Sequence, residues 1–178
     1  GGYGGLMAAL FEETGRYIAM RFLVKPMDFP NAFMYGAGHG GVEAMLLCGV
    51  ASISNIAGAV MINSGTMSAQ LATLDAEKAA DTAAALSALW TTPSLTFFAG
   101  GVERIIAVVL HLSLSILVFQ SIRKKSQKDL LNAYLFHFVI DSLSVLLSAV
   151  ASVWVVELVV ALVTGGAVLM AKYACMEE

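Results

Sequence analysis

The chain has 178 residues, 58% of them hydrophobic and 13% charged, with a net charge of −3 and a mean hydropathy of +0.80. An ordinary soluble domain is about half apolar and a quarter charged, so this composition places the protein in a membrane. The few basic residues are scattered or confined to short loops, which argues against a nucleic-acid partner.

Five hydrophobic segments approach the roughly 20 residues needed to cross a bilayer as a helix. The first, Gly1 to Val24, closes at Lys25-Pro26-Met27-Asp28-Phe29-Pro30, where two prolines oppose continuation of the helix. The second runs from about Met34 to Asn63 and carries Gly36-Ala37-Gly38-His39-Gly40-Gly41-Val42-Glu43-Ala44 near its start. Glycines there allow another helix backbone to come close. Cys48 lies within this run and Cys175 near the chain end, without disulfide or zinc-finger spacing; each reads as a small buried hydrophobe. Ser64 to Pro93 is the one long polar stretch, and its Ala-rich part, Asp75 to Leu89, predicts an extramembrane amphipathic helix. The third segment runs from Leu95 to Gln120, the fourth from Leu130 to about Val150 and the fifth from Val153 to Ala171, with a turn near Ala151-Ser152. The expected fold is all-α: one transmembrane domain over 1–178, a polytopic bundle of about five helices, with 64–93 outside the bilayer. Gly1 already stands in an apolar run with no initiator Met, so further helices are expected upstream.

Charge asymmetry predicts the topology. Arg123, Lys124, Lys125 and Lys128 fill the short connection between the third and fourth segments, which is expected on the cytoplasmic side. Alternation then puts the Lys25 loop and the C-terminus inside, and Ser64–Pro93 outside. The protein is expected in a bacterial cytoplasmic membrane.

Ionisable residues interrupt four of these segments: Glu12, Glu13 and Arg16 in the first, His39 and Glu43 in the second, Glu103, Arg104 and His111 in the third, His137 and Asp141 in the fourth. At about 1.5 Å rise per residue, Glu12 and Glu13 lie roughly 15 Å from the inner end of their helix. Glu43 and His111 lie at about 13 and 15 Å, His137 and Asp141 at about 10 and 16 Å. Four helices that each carry a costly polar group at one height are expected to build a single site. Glu103 and Arg104 lie nearer the outer surface, as an interfacial pair, although Arg104 shares a helix face with His111. Glu157 is expected at the outer interface.

The inventory does not suit serine chemistry, since no nucleophile-elbow motif is present. It suits two hydrolytic mechanisms. In one, His111 and His137 bind a zinc-like metal with a carboxylate while another Glu takes the proton from water. In the other there is no metal, and a Glu activates water while the histidines stabilise the oxyanion. Arg16 is expected to keep one of Glu12 and Glu13 ionised as base, and Asp141 to orient His137.

The motifs Glu12-Glu13-x-x-Arg16, Gly38-His39-Gly40-Gly41-x-Glu43-Ala44, Glu103-Arg104 followed by His111, and His137-x-x-x-Asp141 resemble the YhfC family of bacterial membrane proteins. That family is grouped with PrsW proteases and the CAAX-processing and bacteriocin-immunity proteases, which are described as intramembrane metalloproteases or glutamic-type proteases. The resemblance implies a catalytic carboxylate at Glu12-Glu13, a further one at Glu43, and histidines at His111 and His137 serving a metal or an oxyanion. Arg16, His39, Asp141 and Arg104 would support them. The chain departs from CAAX-type proteases in the shorter Glu13-to-Arg16 spacing and in having Asp141 where Asn is usual. The expected function is endopeptidase activity on a peptide or membrane-protein substrate within the lipid bilayer, with zinc or without a cofactor. The alternative is a non-catalytic scaffold, a pseudoprotease or a transport-type protein using the same residues for packing or proton movement.

Overall fold

The computed structural model describes residues 2–176; Gly1, where the first apolar segment opens, and the last two residues lie outside them. Among the described residues the regular structure is helical, with no strand. The helices are α1 (Gly2–Ile18), α2 (Phe29–Ala44), α3 (Val50–Asn63), α4 (Met67–Leu71), α5 (Ala76–Thr91), α6 (Ser94–Lys124), α7 (Gln127–Ser148) and α8 (Val153–Met176). Widened π turns follow α1 at Ala19–Leu23 and join α2 to α3 at Met45–Gly49.

Among the described residues, four helical runs are long and apolar enough to cross a membrane: Phe29–Asn63, Ser94–Lys124, Gln127–Ser148 and Val153–Met176. They correspond to the second to fifth apolar segments. The first segment also folds as a continuous helix to Leu23. It is missing from the four because Glu12, Glu13, Arg16 and Arg21 interrupt its apolar character. The boundaries follow local chemistry. Pro30 occupies the first turn of α2, where its missing N–H costs nothing, and the Asp28 carboxylate accepts from the Asn31 amide at 3.0 Å. Between α6 and α7, Lys125 takes the left-handed conformation (φ 55°), and the Ser126 hydroxyl caps α7 by accepting from the Asp129 amide at 3.3 Å. The turn around Ala151-Ser152 separates α7 from α8 as expected.

The chain divides into two compact units. The first comprises Gly1–Val42 and Ala99–Glu178. Within it α1 packs on α7 and α7 on α8, around a core that includes Met20, Leu114, Leu117, Val118, Ile140 and Val160. Small residues set these approaches. A Cβ on Gly36 would lie 2.9 Å from the Leu112 Cα, and one on Gly40 3.1 Å from the Val108 Cα, both backbone atoms of α6. Gly38 and Gly41 of the same stretch meet nothing within 4 Å. A Cβ on Gly5 would lie 2.6 Å from the Ser142 hydroxyl of α7. The first unit also holds Glu157, near the start of α8; it is 7% exposed, and its Oε2 has no hydrogen-bond partner.

The second unit, Glu43–Phe98, contains α3, α4 and α5, with α3 packed against the other two. The Ala-rich helix forms where the sequence predicts it. Asp75 is its N-cap, accepting from the Lys78 amide at 2.9 Å.

Candidate functional site

α1 presents its two adjacent carboxylates in different directions, since neighbouring residues on a helix are about 100° apart. Glu13 and Arg16, one turn apart, point into the unit and are both 0% exposed, with Arg16 Nε 3.3 Å from Glu13 Oε2. Glu12 turns toward a more open edge, its side chain 34% exposed.

Arg16 reaches across to α6. One terminal nitrogen donates to the His111 carbonyl and to the Ser115 hydroxyl, each at 2.8 Å. The other donates to His111 Nδ1 at 2.8 Å. Glu13 reaches the other way, to α7, where its Oε1 is 2.7 Å from His137 Nδ1. One buried ion pair on α1 therefore holds two histidines on two other helices.

The open edge is built around Glu12. Its Oε2 lies 2.9 Å from His39 Nε2 on α2 and 3.8 Å from His137 Nε2. Asp141, one turn beyond His137, brings Oδ2 to 3.5 Å from the same Nε2. The rings close the group: the centroids of His39 and His111 are 4.8 Å apart, those of His111 and His137 5.7 Å. Thr14 and Tyr134 clamp α1 to α7 alongside, with hydroxyls 2.7 Å apart.

Of the residues singled out in the sequence, Glu12, Glu13, Arg16, His39, His111, His137 and Asp141 thus meet in the first unit. Arg104 pairs with Glu103 on its own helix, two turns before His111. Glu43 stands on the last turn of α2, one turn after His39, at the first residue of the second unit. Ser115 was not singled out, although its spacing of four from His111 on a membrane helix is a readable signal.

Glu12, His39 and His111 each offer a ligand atom, all within 4.8 Å of one another. Imidazole and carboxylate donors at such spacing are the set a zinc-type ion takes. The residues fit a metal by donor type and proximity.

The chain matches the family described as YhfC intramembrane metalloprotease over residues 1–160. It is 38% identical over 164 residues to the "Uncharacterized membrane protein YhfC" of Bacillus subtilis (strain 168), an alignment covering 90% of this chain and 63% of that protein. The chain therefore spans less than two thirds of that relative's length. No solved structure gives a significant match. An apolar, helical chain with carboxylates and histidines gathered between its helices is thus a membrane protein that belongs to the YhfC intramembrane metalloprotease family.

Proposed function

We propose that this chain hydrolyses peptide bonds within or at the membrane, at the site formed by Glu12, Glu13, His39, His111 and His137. The observation that carries this reading is the meeting of acid and imidazole side chains from α1, α2, α6 and α7, with contacts of 2.7–2.9 Å at Glu13–His137, Arg16–His111 and Glu12–His39.

Glu12, the exposed member of the pair, takes a proton from the attacking water. His39 donates to it and fixes its orientation. The water oxygen adds to the scissile carbonyl carbon, the carbon–nitrogen bond breaks, and the proton on Glu12 passes to the departing amine. Glu13 does not face this edge; with Arg16 it positions His137 and His111, which meet the charge developing on the carbonyl oxygen or contribute to a metal site. A zinc-type ion held by His39 and His137 would supply Lewis-acid polarisation of the carbonyl. The substrate is a peptide or membrane protein that brings an unwound segment to this edge. We place the Arg123–Lys128 connection on the cytoplasmic side from its basic charge, and the C-terminus on the same side by alternation of the spans.

The test is cleavage of transmembrane peptides by the purified protein in liposomes, with His39→Ala, His111→Ala and His137→Ala beside the exposed Lys78→Ala. The three histidine variants are expected to lose activity about 10²-fold or more, and Lys78→Ala to keep it. Full activity in all three would remove the site from the reaction. A protein that used these residues only for packing or proton movement would release no new peptide ends.

A further inference from the structure

We propose that the buried Arg16–Glu13 pair fixes opposite tautomers on His111 and His137. This makes His137 the imidazole that accepts a proton or a metal ion at Nε2, and His111 a hydrogen-bond donor at Nε2. The roles rest on the hydrolytic reading; the tautomers do not.

A guanidinium has five N–H donors and no acceptor. Arg16 sits 2.8 Å from His111 Nδ1, so that nitrogen must carry the lone pair, and the ring proton of His111 must be on Nε2. A metal ion at Nε2 would force the proton onto Nδ1, where it would face an arginine N–H. Nothing local relieves that clash by releasing Arg16. Its other nitrogen is held by the His111 carbonyl and the Ser115 hydroxyl at 2.8 Å, its Nε lies 3.3 Å from Glu13, and the side chain is 0% exposed.

The other end of the pair has the opposite effect. Glu13, ion-paired to Arg16, accepts, so at 2.7 Å His137 Nδ1 is the donor. In the neutral ring the lone pair of His137 is then on Nε2, and a proton taken there faces Glu12 Oε2 at 3.8 Å and Asp141 Oδ2 at 3.5 Å. A carboxylate on Nδ1–H with a bare Nε2 is the arrangement of general-base and metal-ligand histidines. His111 belongs to the group of donors close enough to share an ion, yet its tautomer gives it a different role, that of an Nε2–H donor for the developing oxyanion. Any ion bound there takes its imidazole ligand from His39 or His137.

The chain has three histidines, so ¹⁵N and ¹³C labelling of histidine in the purified protein in nanodiscs yields three imidazole patterns, assignable with His39→Gln, His111→Gln and His137→Gln. The expected result is His111 protonated at Nε2 and bare at Nδ1, with His137 the reverse. Arg16→Lys, which keeps a donor, is expected to preserve the His111 pattern, and Arg16→Met to give a mixture of both tautomers. Adding Zn²⁺ is expected to leave the His111 proton where it is, and His111→Ala is expected to bind as much zinc as the wild type. A His111 ring protonated at Nδ1 in the wild type, or driven to that form by Zn²⁺, overturns the proposal. So does a His137 ring bare at Nδ1. The wild-type spectrum decides the tautomers even where an Arg16 variant fails to fold. Absence of peptidase activity leaves these spectra unchanged, which separates this proposal from the hydrolytic one.

Discussion

Replacing Arg16 by methionine removes one charge from a pair with no exposure on either side chain. Breaking a buried pair from one side leaves the other ion uncompensated, a loss of about 3–5 kcal/mol. It also takes the donor from the Ser115 hydroxyl and His111 Nδ1. At about 1.4 kcal/mol per tenfold, the folding equilibrium should fall by at least two orders of magnitude. Lys78→Met is the control: it breaks an exposed pair with Asp75 and should cost about 0–1 kcal/mol. Glu13→Met together with Arg16→Met removes both charges, so the double variant should lose less than the sum of the singles, with a coupling of about 1–3 kcal/mol. Denaturant titration in mixed micelles, followed by helical circular dichroism, measures all four. An Arg16→Met protein within about 1 kcal/mol of wild type, or strictly additive losses, would refute the placement of this pair at the centre of the packing.

Further consequences are open to measurement. Gly36→Ala and Gly40→Ala push a Cβ against the α6 backbone and should destabilise by about 1–3 kcal/mol, whereas Gly38→Ala and Gly41→Ala, which meet nothing within 4 Å, should be neutral or stabilise by up to about 1 kcal/mol through helix propensity. The same titration tells the two pairs apart, and equal effects would contradict the α2–α6 approach. At α5, the hydrogen bond from the Lys78 amide holds the Asp75 carboxyl below its usual value. Its contribution is therefore complete above the unfolded value of about 3.9 and lost as pH falls through the lower folded one. Protection of the Lys78 amide against hydrogen exchange should drop in that acid range and be low at every pH in Asp75→Ala; a protection factor indifferent to both would rule out the cap. Lys125→Cys should react with a membrane-impermeant thiol reagent only in inside-out vesicles, and labelling from the other face would reverse the proposed orientation.

Hydropathy alone made the helices legible, because a bilayer demands long apolar runs and α2–α3, α6, α7 and α8 supply them. The gathering of Glu12, His39, His111 and His137 was legible too, from rise per residue applied to helices of alternating direction. The partner choices within the group were not. Glu12 and Glu13 are equivalent in sequence; the rotation of α1 about its axis, set by Gly5 against Ser142, decides that Glu13 meets Arg16 and His137 while Glu12 meets His39. Spacing gives Asp141 as the natural companion of His137, one turn away, yet the shorter contact comes from Glu13 on another helix, at 2.7 against 3.5 Å. The burial of Glu157 comes from packing between helices, which no local sequence pattern records. The π turns at Ala19–Leu23 and Met45–Gly49 carry no signal in residue type either.

The central claim is that Glu12 takes the proton from the water that cuts a peptide bond. The direct measurement is incorporation of ¹⁸O from H₂¹⁸O into new peptide C-termini by the purified protein in liposomes supplied with a pool of transmembrane peptides. The account predicts labelled termini from wild type and from Glu103→Gln, and a loss of about 10²–10⁴-fold in Glu12→Gln. Labelled termini appearing at the wild-type rate in Glu12→Gln would contradict it.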